Sequence, residues 1–334
     1  MLKSIVISGY GVTVGYSKGC LTIREGKGGS NYKVSLADLD QVIIATSGVK
    51  ITSKAIRALI DYGVDLVVLD SRGYPIARLY PPYISRTVDT RRKQYLLYYD
   101  LDYARKIIIE IAYCKIRNQL EYLRKLYSRL RIDELREAVT SIKEYLSELL
   151  SINANSLKEL RRKVIQVEAK AAHTYWSNIA LILPEDVGFP GRNHDSSDLV
   201  NILLNYSYSI LYSTCWKAIT LAGLDPYAGF LHVDRSGKPV LVFDFIEMFR
   251  VVAVDHVIIG LVTSGWRTRI DNGLLSPEAR SYICKLILEN LKKKYKCVYW
   301  DDRLELIQWI KRTAYNLADS IRSRSKFKGF IVRW

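Results

Sequence analysis

Residues 223–250 read GLDPYAGFLHVDRSGKPVLVFDFIEMFR. Gly223 stops a helix, and Asp225-Pro226 turns the chain. A loop follows that carries one histidine, His232. The stretch closes in an apolar run of Phe243, Phe245, Ile246, Met248 and Phe249 that holds two acids, Asp244 and Glu247. Carboxylates in so apolar a run are costly to bury unless something neutralises them. A divalent cation would do so, and His232 is near in the chain.

Upstream, residues 2–80 alternate short β-branched runs with Gly, Ser, Asn and Asp. The runs at 4–8, 12–16, 20–24, 42–45 and 64–69 read as strands. Residues 52–62 read as the one helix there, capped by Ser53 and stopped by Gly63. The glycine-rich run 26–30 lacks the Lys-Ser/Thr and following helix of a phosphate loop, so it reads as a hairpin turn. Pro81-Pro82 marks a boundary, because consecutive prolines cannot continue a strand ladder. Beyond it the period becomes helical: 86–127, 132–150, 157–182, 197–222, 243–263, 277–294 and 304–323, of which 243–263 fits helix or strand by period and is read as helix. Ser196 or Ser197 would cap the fourth of these segments. Residues 322–328 read as a basic tail. The expected fold is α+β: a small β-rich domain over residues 1–82, then a larger all-helical domain over 83–334.

The 334 residues are 49% hydrophobic and 25% charged, which fits a soluble globular chain with a sizeable core. The formal net charge of +16 must lie on the surface, where it draws in polyanions, nucleic acid first among them. No apolar run reaches the roughly 18 residues of a spanning helix, so no membrane role is expected. The start, MLKSIVISGYG, lacks a signal-peptide core and reads as a first strand of a cytoplasmic protein. Five scattered cysteines without a C-x-x-C pair argue against zinc modules and a disulfide framework.

Three acids fall on apolar faces. Glu168 lies in a helix with small neighbours, Ala169, Ala171 and Ala172. Asp244 and Glu247 are three apart and share a helix face. Together with His232 they could converge on one Mg2+ or Mn2+ ion. Other readings fit the same residues. Glu168 fits a helix surface beside Lys170, His232 a hydrogen-bonded loop histidine, and the two other acids a network with Arg235 or Arg250. His194, Asp195 and Asp198 form a polar cluster that fits helix-cap chemistry.

Taken together, these motifs resemble the CRISPR-associated spacer-acquisition integrase, the universal nuclease of the adaptation module. Glu168-Ala-Lys-Ala-Ala-His-Thr-Tyr175-Trp176 resembles the family's first motif. Asp198-Leu-Val-Asn201-Ile-Leu-Leu-Asn205-Tyr206-Ser-Tyr208 resembles its Asn-x-x-Leu and Tyr-x-Tyr helix. Gly223-Leu-Asp-Pro226-Tyr-Ala-Gly229-Phe-Leu-His232 resembles the loop that delivers its histidine. Asp244-Phe-Ile-Glu247-Met-Phe-Arg250 resembles its Asp-x-x-Glu-x-Phe-Arg motif, and Arg91-Arg-Lys-Gln94 the start of its helical domain. Val251 and Ala169 stand where the family often has Pro and Gly.

The resemblance implies that Glu168, His232 and Glu247 are metal ligands, with Asp244 a further catalytic acid beside them. It implies an Mg2+ or Mn2+ cofactor and a homodimer formed through the β domain. A dimer of the second CRISPR-associated adaptation protein would bridge two such homodimers. The DNA would be a short duplex with single-stranded 3′ ends, whose 3′-OH groups attack phosphodiesters at the boundaries of CRISPR repeat DNA. Basic groups at 86–93, 124–131, 161–163, 292–296 and 322–328 would hold phosphates, and the 24 tyrosines offer stacking platforms. Tyr175, Arg192, Asn201, Tyr208 and Arg250 are candidates for the DNA-facing rim. A stand-alone metal nuclease for branched or single-stranded DNA, or a non-enzymatic nucleic-acid scaffold, also fits the charge.

Overall fold

A computed structural model describes residues 3–26, 30–79 and 88–334. The Pro81-Pro82 boundary, Arg86, Met1, Leu2 and most of the glycine-rich run 26–30 lie outside these described residues. The chain forms two compact units. The first takes the described part of Met1–Ile84 with Asn205–Ser213 and Thr268–Leu288. The second takes the described part of Ser85–Leu204 with Thr214–Arg267 and Glu289–Trp334.

The N-terminal segment forms β1 (Lys3–Ile7), β2 (Val12–Ser17), β3 (Cys20–Arg24), β4 (Asn31–Ser35), β5 (Leu39–Ile44) and β6 (Val49–Ile51), then α1 (Ser53–Asp61), β7 (Asp65–Leu69) and β8 (Pro75–Leu79). One sheet has the order β1-β5-β7-β8, parallel except for the last pair. The other has the order β4-β3-β2-β6, antiparallel except for β2 and β6. Val14, Leu21, Ile23, Val42, Leu59 and Leu66 belong to one core that the two sheets and α1 share. Three strands escaped the sequence reading for separate reasons. β4 is mostly exposed, β6 is three residues long, and β8 opens on Pro75, whose missing N–H suits an edge position. Thr52, not Ser53, caps α1: its Oγ1 accepts the Ala55 N–H at 3.2 Å.

The second unit is mostly helical. The long segment after residue 86 is two helices, α2 (Val88–Tyr98) and α3 (Leu101–Leu130), divided where Asp100 Oδ1 accepts the Tyr103 N–H at 3.1 Å. Arg131, in a left-handed conformation at φ 58°, ends α3. The chain returns along α4 (Asp133–Ser151) and turns again into α5 (Leu157–Ile182), capped by Ser156. This up-down-up path makes α3 and α5 run the same way. α6 (Leu199–Leu221) is capped by Asp198, whose Oδ1 accepts the Asn201 N–H at 3.0 Å. Ser196 instead donates its hydroxyl to Asp198 at 2.6 Å, so the expected serine cap supports the true one.

The apolar segment 243–263 is not one helix. It runs as α7 (Val240–Ile246), a turn, a π-helical turn at Val251–Asp255, and α8 (His256–Thr263). Later come the hairpin β9 (Ile270–Asp271) and β10 (Leu274–Leu275), α9 (Pro277–Leu291), β11 (Lys294–Cys297), β12 (Trp300–Glu305), α10 (Leu306–Ser323) and β13 (Val332–Arg333). Asn272 and Gly273 both have positive φ, the requirement of a two-residue hairpin turn.

β11, β12 and β13 form a small sheet that helical periodicity gave no sign of. The residues after α10 are not a loose basic tail. Phe327, Phe330, Ile331 and Val332 are buried, and Asn118 of α3 ties them down by donating to the Phe330 carbonyl and accepting the Val332 N–H. Among the described residues no helix is long and apolar enough to cross a membrane.

Candidate active site

Asp244 is fully buried on α7, and both of its oxygens are occupied. The Phe230 and Leu231 N–H groups donate to Oδ2 at 2.6 and 2.9 Å. The His232 N–H donates to Oδ1 at 2.9 Å, and His232 Nδ1 lies 2.6 Å from the same oxygen. Four contacts use up the acceptor capacity of a carboxylate. Asp244 therefore folds the loop and fixes the imidazole. With Nδ1–H given to Asp244, Nε2 is the nitrogen left to face a ligand. This geometry also explains Gly229. A Cβ there would stand 2.5 Å from Val240 Cγ1 and 2.9 Å from Asp244 Oδ2, too close for any side chain.

Two further residues hold the loop, and neither was singled out as a site residue. Gln94 of α2 donates to the Asp225 and Ala228 carbonyls at 3.0 and 2.7 Å and accepts the Asp225 N–H at 2.9 Å. Arg161 of α5 is buried and donates from Nε to the Phe230 carbonyl at 2.7 Å. An arginine in a basic triplet looks like solvated charge, so Arg161 carried no signal. Gln94 carried one only through the resemblance of its motif.

Glu168 and Glu247 come from different helical segments and are brought together by one ammonium. Lys115 Nζ of α3 lies 3.3 Å from Glu168 Oε1 and 3.0 Å from Glu247 Oε2. Apart from that ammonium, neither buried oxygen has a hydrogen-bond partner among the described residues. Arg250 reaches the other oxygen of Glu247 at 3.0 Å. The two carboxylates are 6% and 5% exposed, so their charges must be met locally.

The surroundings set them apart. Burial raises the Glu168 pKa above the ordinary value, only partly offset by Lys115. Burial also opposes ionisation of Glu247, but Arg250, Lys115 and His232 outweigh it and bring its pKa down to about 2. Burial disfavours charge on His232, yet Asp244 and the two glutamates overcome this and raise its pKa. Burial likewise opposes charge on Lys115, and the two glutamates raise its pKa despite that.

Among the described residues no three His, Cys, Asp or Glu side chains stand as a ready-made metal cluster. The Lys115 ammonium stands between the two carboxylates, and Asp244 is committed to the loop. The donor set itself, two carboxylates with a fixed imidazole beside them, has the chemistry that Mg2+ or Mn2+ accepts.

A second layer lies one heptad along. Tyr122, Tyr175 and Asp255 follow Lys115, Glu168 and Glu247 by seven, seven and eight residues. The extra residue is taken up by the π turn, in which the His256 N–H reaches back to the Val251 carbonyl. The Tyr175 hydroxyl donates to Asp255 at 3.1 Å, and its ring packs 6.5 Å from that of Tyr122.

Tyr175 is thus core, not DNA-facing rim: it is fully buried. Asn201 is buried as well, where it accepts from Arg192 at 2.8 Å and from the Asn193 N–H at 3.0 Å. Tyr208 is 7% exposed and does not offer a stacking face. Of the five rim candidates, Arg192 and Arg250 keep partial exposure. Arg192 orders the loop before α6, and Arg250 holds Glu247.

Comparison with known proteins places the chain. The family model for CRISPR associated protein Cas1 matches residues 5–287. The chain is 35% identical over 332 residues to CRISPR-associated endonuclease Cas1 2 of Saccharolobus solfataricus, covering 98% of each. Among solved structures it is similar to a casposase bound to integration product, with TM-score 0.81 and 26% identity over 98% of this chain and 93% of that one. It is also similar in fold to a chain of a Cas6-RT-Cas1–Cas2 complex, with TM-score 0.77 and 20% identity over 98% of this chain and 36% of that one. With its family model matched from the first strands into α9, and a relative aligned end to end, the chain belongs to the Cas1 family of CRISPR-associated proteins.

Proposed function

We propose that this chain is a metal-dependent DNA endonuclease and integrase that inserts short duplexes into a CRISPR array. The observation that carries the reading is the meeting of two buried carboxylates, Glu168 and Glu247, at a single cation position, with an Asp244-fixed His232 on the neighbouring loop. Membership of a family whose relatives are named endonucleases supports phosphodiester chemistry, and the likeness to a casposase bound to integration product supports strand transfer.

Glu168, Glu247 and His232 Nε2 would hold one Mg2+ or Mn2+. Such an ion, when bound, supplies Lewis-acid polarisation of a phosphodiester oxygen and acidifies an oxygen nucleophile. The chain's own residues do the rest. Asp244 keeps the imidazole in the tautomer that presents Nε2. Arg250 keeps Glu247 ionised and oriented. The positive surface binds phosphates without reading sequence. The nucleophile in integration is a DNA 3′-OH, and the same site with water would cut strands. The partners in this reading are duplex DNA with single-stranded 3′ ends, repeat DNA, a second copy of the chain, and a dimer of the second adaptation protein. The fold-level likeness to a chain of a Cas6-RT-Cas1–Cas2 complex favours that last partner.

The test is product analysis with a 3′-OH duplex and a repeat-containing target in Mn2+. Joined strands at repeat boundaries are expected from the wild type, and none from Glu168→Gln or His232→Ala. Cut strands without joining would favour a stand-alone nuclease. Wild-type joining by Glu168→Gln would overturn the site.

A further inference from the structure

Lys115 is absent from every motif that marks the site, yet its ammonium touches both glutamates. Its contacts offset most of the site's charge. Glu168, Glu247 and Asp244 bring three negative charges, and Lys115 and Arg250 bring two positive ones. A divalent cation added to this buried set would turn it net positive and would meet the ammonium at the same place, which a low-dielectric site opposes. One resident cation has to leave. Arg250 holds Glu247 Oε1 from the far side and does not touch Glu168 in the described contacts. The ammonium bridges Oε1 of Glu168 and Oε2 of Glu247, the two oxygens that have no other hydrogen-bond partner among the described residues. Lysine suits such a part, because a point charge on a flexible four-carbon stem can swing aside without breaking a bidentate fork. Its side chain keeps 20% exposure, so part of its stem already borders solvent.

We infer that Lys115 is a built-in counter-ion that occupies the cation position between Glu168 and Glu247 and is displaced when a divalent ion binds there. This rests on the metal reading given above and adds the residue that sets the site's affinity. In the metal-free protein the ammonium keeps two glutamates from repelling one another. In the loaded protein it is released toward solvent. Metal affinity is thereby lower than three bare ligands would give, and the metal-free fold is steadier than an empty carboxylate pair would allow.

The experiment uses the full chain and Mn2+ alone as probe. Binding is followed by calorimetry and by the loss of the free-ion electron paramagnetic signal, for wild type, Lys115→Met and Glu247→Gln. Lys115→Met is expected to bind Mn2+ about tenfold or more tightly, because no ammonium competes. Its melting temperature in EDTA should fall below that of the wild type, and Mn2+ should raise it by more than in the wild type. Equal or weaker Mn2+ binding by a folded Lys115→Met would overturn the inference.

Should that variant not fold, the wild type supplies the second readout. Labelling of Lys115 by an amine-reactive reagent, read by mass spectrometry, is expected to rise severalfold with saturating Mn2+. Unchanged or reduced labelling would overturn displacement. Failure of the underlying reading looks different: no saturable Mn2+ binding in the wild type, or binding that survives in Glu247→Gln, removes the metal site itself and the inference with it.

Discussion

Asp244 decides whether His232 is held in place or is a passing loop residue. Its carboxylate accepts three backbone N–H groups and the imidazole. In Asp244→Asn an amide nitrogen must face some of those donors. The expected cost is about 3 kcal/mol of stability, with strand transfer lost although all three proposed ligands remain. Chemical denaturation and a strand-transfer assay on the same preparation check this.

His256 gives a separate residue-scale prediction. Burial lowers its pKa from 6.5 to about 4. The folded state therefore binds this proton less readily than the unfolded one. The stabilisation is complete above pH 6.5 and is lost as pH falls toward 4. Linkage puts the loss between pH 7 and pH 5 at about 2 kcal/mol. His256→Gln should flatten that part of the stability profile, as urea midpoints at the two pH values would show.

The three acids and the imidazole of the site were legible because carboxylates in apolar runs demand a reason and because their motifs resemble those of the family. Lys115 was not, since one more lysine in a basic helix looks solvated until its neighbours are known. Tyr175 misled for the opposite reason: an aromatic ring beside a catalytic acid reads as a stacking platform, whereas here it packs between helices.

At the scale of elements, the site depends on where helices break. The period of residues 243–263 fits helix or strand, and nothing in it marks the π turn that brings Asp255 level with Tyr175. Such a register correction is visible only against the partner helix. The loop before α7 is equally exacting. Gly229→Ala would push a methyl into Val240 and Asp244. A loss of about 1–3 kcal/mol is expected, along with slower strand transfer from a displaced His232. Thermal melts and initial rates measure the two effects. Unchanged melting and rates would mean that the loop has room the close contacts deny.

For the whole molecule, the change of hydrophobic period from two to about three and a half disclosed a β-rich start followed by helices. It did not disclose that Asn205–Ser213 and Thr268–Leu288 belong to the same compact unit as the N-terminal strands. Assignments across such sequence distances depend on packing, which local periodicity does not record. Nor did it show the small sheet of β11, β12 and β13, whose strands are too short to set a period.

If the chain binds DNA as proposed, its net charge of +16 should make that affinity a salt-dependent property of the molecule as a whole. With five or so phosphate contacts, the slope of log affinity against log salt should be about −4. A slope near zero in a titration of duplex binding would refute an electrostatic grip.

The most direct test of the account joins the charge and the site: strand transfer of a 3′-OH duplex by Glu247→Gln beside the wild type, in Mn2+ and in EDTA. The wild type should join strands in Mn2+ and not in EDTA. Glu247→Gln should be slower by about a hundredfold or more while binding the duplex within about twofold of the wild type. Joining at the wild-type rate by Glu247→Gln, or undiminished joining in EDTA, would contradict it.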